Sequence, residues 1–225
     1  MKKFLFLLLL LSNTIVFSQP YQEYNHQQAL INENGKYQIN IAVMFKAVDN
    51  LYKHAQEYPL KFDNKQDANN AYRDLQILIK TFDYIKQEKI IGKFSSQDKF
   101  NFELGHARLF LMAHNFDMPN MMKKADEHYQ KLIKNNPNNG KLYAEYGGFL
   151  SNSMRIKQGE EYLQKAIQLG EKQSYLQLGM NYLIQDKKQL AIETLEQYQK
   201  YYPKNTETAK IIQAIKSGNI QKNSK

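Results

Sequence analysis

The chain has 225 residues, 31 Lys and Arg against 22 Asp and Glu, a formal charge of +9, and no cysteine. That length supports a sizeable core in one or two domains. The missing thiols exclude disulfide staples, thiol nucleophiles and thiolate metal sites, so ordinary apolar packing must hold the fold.

The first 18 residues, "MKKFLFLLLLLSNTIVFS", read as a targeting segment rather than as part of the fold. Lys2 and Lys3 form a positive start, Phe4 to Leu11 an apolar stretch, and "VFS" offers a small residue for cleavage after Ser18. The apolar stretch is short for a membrane span, and no later segment is long and apolar enough for one. The expectation is therefore an exported chain, periplasmic or extracellular, with no transmembrane segment once mature. No Cys follows for lipid attachment, and the remaining sequence lacks an Asn-x-Ser/Thr acceptor, which fits a bacterial envelope. Without Lys2 and Lys3 the formal charge is +7. Outside the cytoplasm such an excess points to peripheral contact with an anionic membrane surface or an acidic protein, not to nucleic acid; solvated Lys-rich helix faces account for it as well.

Residues 19–36 are polar and read as an N-terminal arm. The region 37–105 reads as a divergent helical pair over 40–57 and 65–90. Ala47, Leu51 and His54, ahead of Pro59, mark the first helix. Ala68, Tyr72, Leu75, Leu78, Ile79, Phe82 and Ile85 mark the second, with a cap near Asp63 or Asn64. "SSQDKF" opens a further helix towards Asn115, with Ser96 as its cap.

Three abutting stretches then share one pattern. Over 106–139, Leu109, Met112, Ala113 and Phe116 form one helical face and Ala125, Tyr129 and Leu132 a second, closed by "NNPNN". Over 140–171 the faces are Tyr143, Tyr146, Gly147 and Leu150, then Gly159, Leu163 and Ala166. Over 172–205 they are Tyr175, Leu178, Gly179 and Tyr182, then Ala191, Leu195 and Tyr198, closed by Pro203. Gly179 and Ala191 are small where two antiparallel helices come closest, and Pro203 cannot continue a helix. This pattern resembles the tetratricopeptide repeat, a helix–turn–helix unit of about 34 residues. The resemblance covers about 100 residues. It departs from the family in the absence of Trp, in Pro119 within a turn, and in Glu171 where the closing Pro belongs. It implies an all-α fold, an α-solenoid of antiparallel helix pairs: three such units, the divergent N-terminal pair and a C-terminal capping helix. That helix is expected over 206–218, with Thr206 as N-cap and Ala209, Ile212 and Ile215 facing inward. Residues 219–225 read as a frayed tail.

Catalytic chemistry finds little support. No nucleophile elbow, phosphate-binding Gly loop, dinucleotide fingerprint or His-Glu-x-x-His zinc motif occurs. Ser96-x-x-Lys99 has the Ser–Lys spacing of penicillin-binding enzymes without their companion motifs, and reads as a helix start. Glu23-x-x-His26 and Glu103-x-x-His106 have the spacing of di-iron bundles without a further carboxylate pair. No catalytic, metal or cofactor residue is assigned.

The resemblance also implies that partners lie along a concave groove lined by the leading helix of each unit. Those positions are Phe110 and His114, then Ala144, Gly148 and Ser151, then Leu176, Met180 and Leu183. Small residues beside bulky apolar ones suggest a shallow apolar trough for a peptide or helix, unless the chain's own arm or tail fills it. The Lys and Asn clamp of chaperone-binding members is missing, with Ala144, Glu145, Gly148, Gln173 and Gln177 in its place. The reading is a non-catalytic protein-interaction module of the bacterial envelope. An immunity or inhibitor protein with one tight toxin or enzyme partner is an alternative. A small cell-wall hydrolase whose site the sequence hides is another.

Overall fold

The structure is a computed structural model that describes residues 20–33 and 36–218. The expected targeting segment and tail, 1–18 and 219–225, lie outside the described residues. The described chain is all-α apart from one small hairpin, and forms two compact units that divide after Leu132.

In the N-terminal unit the helices are α1 (Ile41–Ala55), α2 (Lys65–Gln87), α3 (Ser96–Asn115) and α4 (Met121–Asn135), the last running across the boundary. Asn64 and Ser95 cap α2 and α3: Asn64 Oδ1 accepts from the Asp67 amide at 2.9 Å and Ser95 Oγ from the Asp98 amide at 3.1 Å. The cap of α3 is thus one residue before the expected Ser96, which is already helical. The inner face of α1 is Met44, Val48, Leu51, His54 and Ala55, with Ala47 only half-buried. On α2 the apolar residues Leu75, Leu78, Ile79, Phe82 and Ile85 are buried as expected, but Tyr72 is exposed. Asn70 and Asp74 are buried instead.

Those two polar residues explain the second difference. The stretch expected as a free arm packs against α2 over its described residues. Asp74 Oδ2 accepts from the Tyr21 hydroxyl at 2.6 Å and from the Tyr24 amide at 2.7 Å. Asn70 donates to Glu23, and Asn50 Nδ2 donates to the Gln22 carbonyl at 2.8 Å. Tyr24 is buried, while Tyr21 stands edge-on to His54 and Phe62. A 3₁₀ turn at His26–Ala29 leads into β1 (Leu30–Glu33) and β2 (Lys36–Ile39), antiparallel, with Leu30 opposite Ile39. The segment looked solvated because its partners are polar as well. Burial next to Asp74 pushes the Tyr21 hydroxyl far above its ordinary pKa, so it stays a donor.

The C-terminal unit contains α5 (Gly140–Asn152), α6 (Ile156–Gln168), α7 (Ser174–Ile184), α8 (Lys188–Tyr201) and α9 (Thr206–Lys216). Its helices meet through small residues. A Cβ on Gly147 would lie 2.9 Å from Leu163 Cγ, and one on Gly179 would lie 2.7 Å from Leu195. The α7–α8 approach therefore falls at Gly179 and Ala191, as the repeat pattern expects. Leu163, Leu178, Tyr182, Leu195, Ile212 and Ile215 share one apolar cluster. The apolar side of α9 covers the last pair, but its cap is Asn205, not Thr206, and Thr208 is buried where Ala209 was expected.

One turn recurs after each leading helix. Asp117, Met154 and Asp186 adopt left-handed backbone, with φ of 59°, 63° and 62°. The next amide reaches back to the helix: Met118 to the Ala113 carbonyl at 2.9 Å, Arg155 to Leu150 at 2.9 Å, and Lys187 to Tyr182 at 2.8 Å. These bonds satisfy carbonyls that a helix end leaves open and reverse the chain for the second helix.

Candidate interaction surface

Six of the eight groove positions lie on α5 and α7, within the C-terminal unit, and can be described together. Phe110 and His114 lie on α3, in the N-terminal unit. Phe110 is 2% exposed, its ring stacked on His106 at 4.6 Å, so it does not present a surface to a partner. His114 is half-buried near the end of α3, where its carbonyl accepts from the Asp117 amide at 3.0 Å.

On α5, Ala144 is half-buried and Gly148 is buried. Gly148 lies beneath the Gln177 side chain of α7: a Cβ there would sit 2.9 Å from Nε2 and 3.0 Å from Oε1. One turn on, Asn181 Nδ2 donates to Ser151 Oγ at 2.8 Å, and Ser151 Oγ donates to the Gly147 carbonyl at 2.8 Å. Asn181 is buried, so this chain of hydrogen bonds ties α7 to α5 away from water. The floor between the two helices is therefore polar. It is not the continuous apolar trough that the sequence suggested, because Gly148 and Ser151 serve contacts between the helices.

The apolar edge differs too. Leu176 and Met180 are half-buried and pack against the core of the unit, and Leu183 is 8% exposed within that core. The residue that continues the exposed stripe is Ile184, 50% exposed, at i+8 from Leu176 and i+4 from Met180. Sequence reasoning missed Ile184 by one position, and it missed the roles of Gln177 and Asn181. Asn181, set between apolar neighbours in "GMNYLI", was the available signal: a buried amide in a helix must find a partner.

Behind this face Tyr182 is buried, with its hydroxyl accepting from Gln164 Nε2 at 3.2 Å. Burial, with Glu160 nearby, raises its pKa. Glu160 also accepts from Gln185 Nε2 at 3.0 Å and lies 3.7 Å from Lys187 Nζ. This polar cluster pins the end of α7 to α6.

The two Glu-x-x-His pairs serve structural contacts. Glu23 accepts from Asn70; Glu103 meets Lys131 at 3.3 Å and His128 at 3.8 Å. Among the described residues, no group of three or more His, Asp or Glu is placed to hold a metal ion, and no helix is long and apolar enough to cross a membrane.

A family comparison agrees with the geometry of the last helix pair. Residues 173–205, the α7–α8 pair, match the tetratricopeptide repeat family model. A solved structure from a functional characterization of Pseudomonas aeruginosa PilF is similar at 19% identity, with a TM-score of 0.40, over 66% of this chain and 78% of that one. Curated proteins give no significant match. The repeat pattern, the close approach at Gly179 and the family match identify the α7–α8 pair as a tetratricopeptide repeat, a unit that ordinarily binds protein partners.

Proposed function

We propose that this protein is an exported, non-catalytic interaction module of the bacterial cell envelope, which binds a peptide or helix across the α5–α7 face. The observation that carries the reading is the seat of Gln177. Gly148 leaves room for the Gln177 amide to lie flat on α5, flanked on its own helix by Leu176 and Met180. An exposed primary amide held this way offers one donor and one acceptor to a peptide backbone, beside apolar side chains that read its residues. Tight crossing at Gly148 is a weak explanation for that glycine, because the neighbour is the movable end of a side chain rather than backbone. Export rests on the Lys2, Lys3 and Leu-rich start, and the excess of Lys supports peripheral contact with an anionic membrane surface.

The test is affinity capture of the chain from envelope extract, followed by mass spectrometry, with Gly148→Ala and Ile184→Glu alongside. The alanine Cβ displaces the Gln177 amide; the glutamate puts a charge on the apolar edge. Both variants should fold with stability within about 1 kcal/mol of wild type, since one adds a helix-favouring residue and the other is exposed. Both should lose the partner that wild type retains. A single tightly held partner would favour an immunity or inhibitor role, and several weaker ones an assembly scaffold. Undiminished capture by both variants contradicts the assignment to this face. Intact mass of protein recovered from the envelope checks export, with a chain beginning at Gln19 expected.

A further inference from the structure

At the junction of α2, α3 and α4 two imidazoles pack against each other, one buried and one half-buried. His106 is 1% exposed, stacked on Phe110 and enclosed by Phe82 and Phe102. His128, from α4, meets the His106 ring edge-on with centroids 4.6 Å apart, and packs on Phe110 at 5.0 Å. Neither ring nitrogen of His106 makes a hydrogen bond, nor does Nδ1 of His128, and all three atoms are shielded from solvent. An apolar side chain of similar shape would avoid that desolvation cost, so two such histidines in one aromatic box suggest a purpose beyond packing.

The charges facing the pair come from all three helices. Asp83 on α2 has Oδ1 at 3.0 Å from His106 Nε2, off the line of a hydrogen bond, and Glu103 on α3 lies 3.8 Å from His128 Nδ1. Both would favour an imidazolium, but Asp83 is half-exposed and Glu103 is already engaged by Lys131 at 3.3 Å. Lys86 of α2 and Lys124 and Lys131 of α4 oppose it. Burial dominates. It lowers His106 to about 2, helped by His128, Lys86 and Lys124, and lowers His128 to about 4, helped by the three lysines against Glu103.

We propose that His106 and His128 form an acid-sensitive latch, which holds α4 against α2 and α3 while both rings are neutral and releases it on proton uptake. A proton on either ring places a cation beside the other imidazole, inside a box of phenylalanines. Opening gives both rings to water, where they recover ordinary basicity near pH 6.5. The open form then binds more protons than the closed one. Closure is therefore independent of these groups above pH 6.5 and weakens as pH falls, by about tenfold per pH unit for each imidazole, until the closed form itself takes up protons. Release uncovers the ring of Phe110, which is buried and packed on His128 when closed. Acid would thus expose an apolar surface that neutral pH conceals.

Hydrogen exchange of the full chain between pH 7.5 and 5, corrected for intrinsic rates, tests the latch when read on peptides of α4 and of α8. Proton NMR of the five histidines provides an independent reading. The expected result is an α4 opening constant that rises at least tenfold between pH 6.5 and 5.5 while α8 changes little. The His106→Phe/His128→Phe double variant should lose that rise, as should the milder His128→Gln in part. In the closed form the two imidazoles should not titrate near 6.5. The proposal is overturned if α4 protection does not change with pH, if the variants retain the full pH dependence, or if both imidazoles titrate near 6.5 while α4 stays protected. Should the double variant fail to fold, the NMR titration and the wild-type exchange decide between these outcomes.

Discussion

The two units of this protein bury helices by different means. In the C-terminal unit backbones approach through Gly147, Gly159, Gly179 and Ala191, and a shared apolar cluster fills the space around them. In the N-terminal unit the same kind of packing includes His54, Asn70, Asp74, His106 and Asn115 among its buried residues. Asn115 Nδ2, for example, donates to the Ala55 carbonyl at 2.8 Å, joining α3 to α1. Side-chain size sets the helix crossings of the C-terminal unit, and buried hydrogen bonds add much to the packing of the N-terminal one. Those crossings cannot tolerate added volume, and the N-terminal packing cannot tolerate lost acceptors.

The largest effect should come from breaking the size rule. Gly179→Leu drives new atoms into Leu195, already 2.7 Å from an added Cβ, and should cost about 3 kcal/mol in urea unfolding. Lys187→Leu, in the turn before α8, removes a half-exposed contact with Glu160 and should stay within about 0.5 kcal/mol. Comparable losses from the two would show that the close approach lies elsewhere.

Breaking the hydrogen-bond rule should rank next. Asp74→Ala strands the Tyr21 hydroxyl and the Tyr24 amide together, at a cost of about 2–3 kcal/mol. Asp74→Asn keeps one acceptor and should cost less. Limited proteolysis should then cut residues 20–29 first, because Asp74 holds that segment to α2. An Asp74→Ala variant as stable and as resistant as wild type would return this segment to the free arm that its composition suggests.

This contrast also explains what could be read from the sequence. Small residues at fixed offsets have few meanings in a helix, so Gly147, Gly179 and Ala191 revealed the repeat and its frame. Asp74 and Asn70 look like surface residues until Tyr21, Glu23 and Tyr24 are known to lie over them, about 50 positions away in sequence. The same limit applied to the groove. Helical spacing placed α5 and α7 correctly, but Leu183 and Ile184, adjacent in sequence, stand about 100° apart round the helix, so a one-residue error exchanges core for surface. Gly148 read as an empty place in a trough; its meaning depends on Gln177 of the next pair.

The smallest expected effect refines the repeated turn. Met154 is exposed and left-handed where Gly is the usual choice, and Asp117 and Asp186 occupy the equivalent places. Met154→Gly should raise stability by about 0.5–1 kcal/mol, seen as a higher urea midpoint at unchanged slope. A loss of stability would mean that the Met154 side chain, not its backbone, matters to the turn.

Photo-crosslinking from single sites, performed in cells, tests the binding face most directly. A benzophenone side chain at Ile184, on the apolar edge of α7, is compared with one at Leu190, exposed on α8. The account predicts a discrete crosslinked partner from position 184, absent at 190 and abolished when Gly148→Ala is added. Crosslinks from 190 alone, or from 184 with no response to Gly148→Ala, would contradict it.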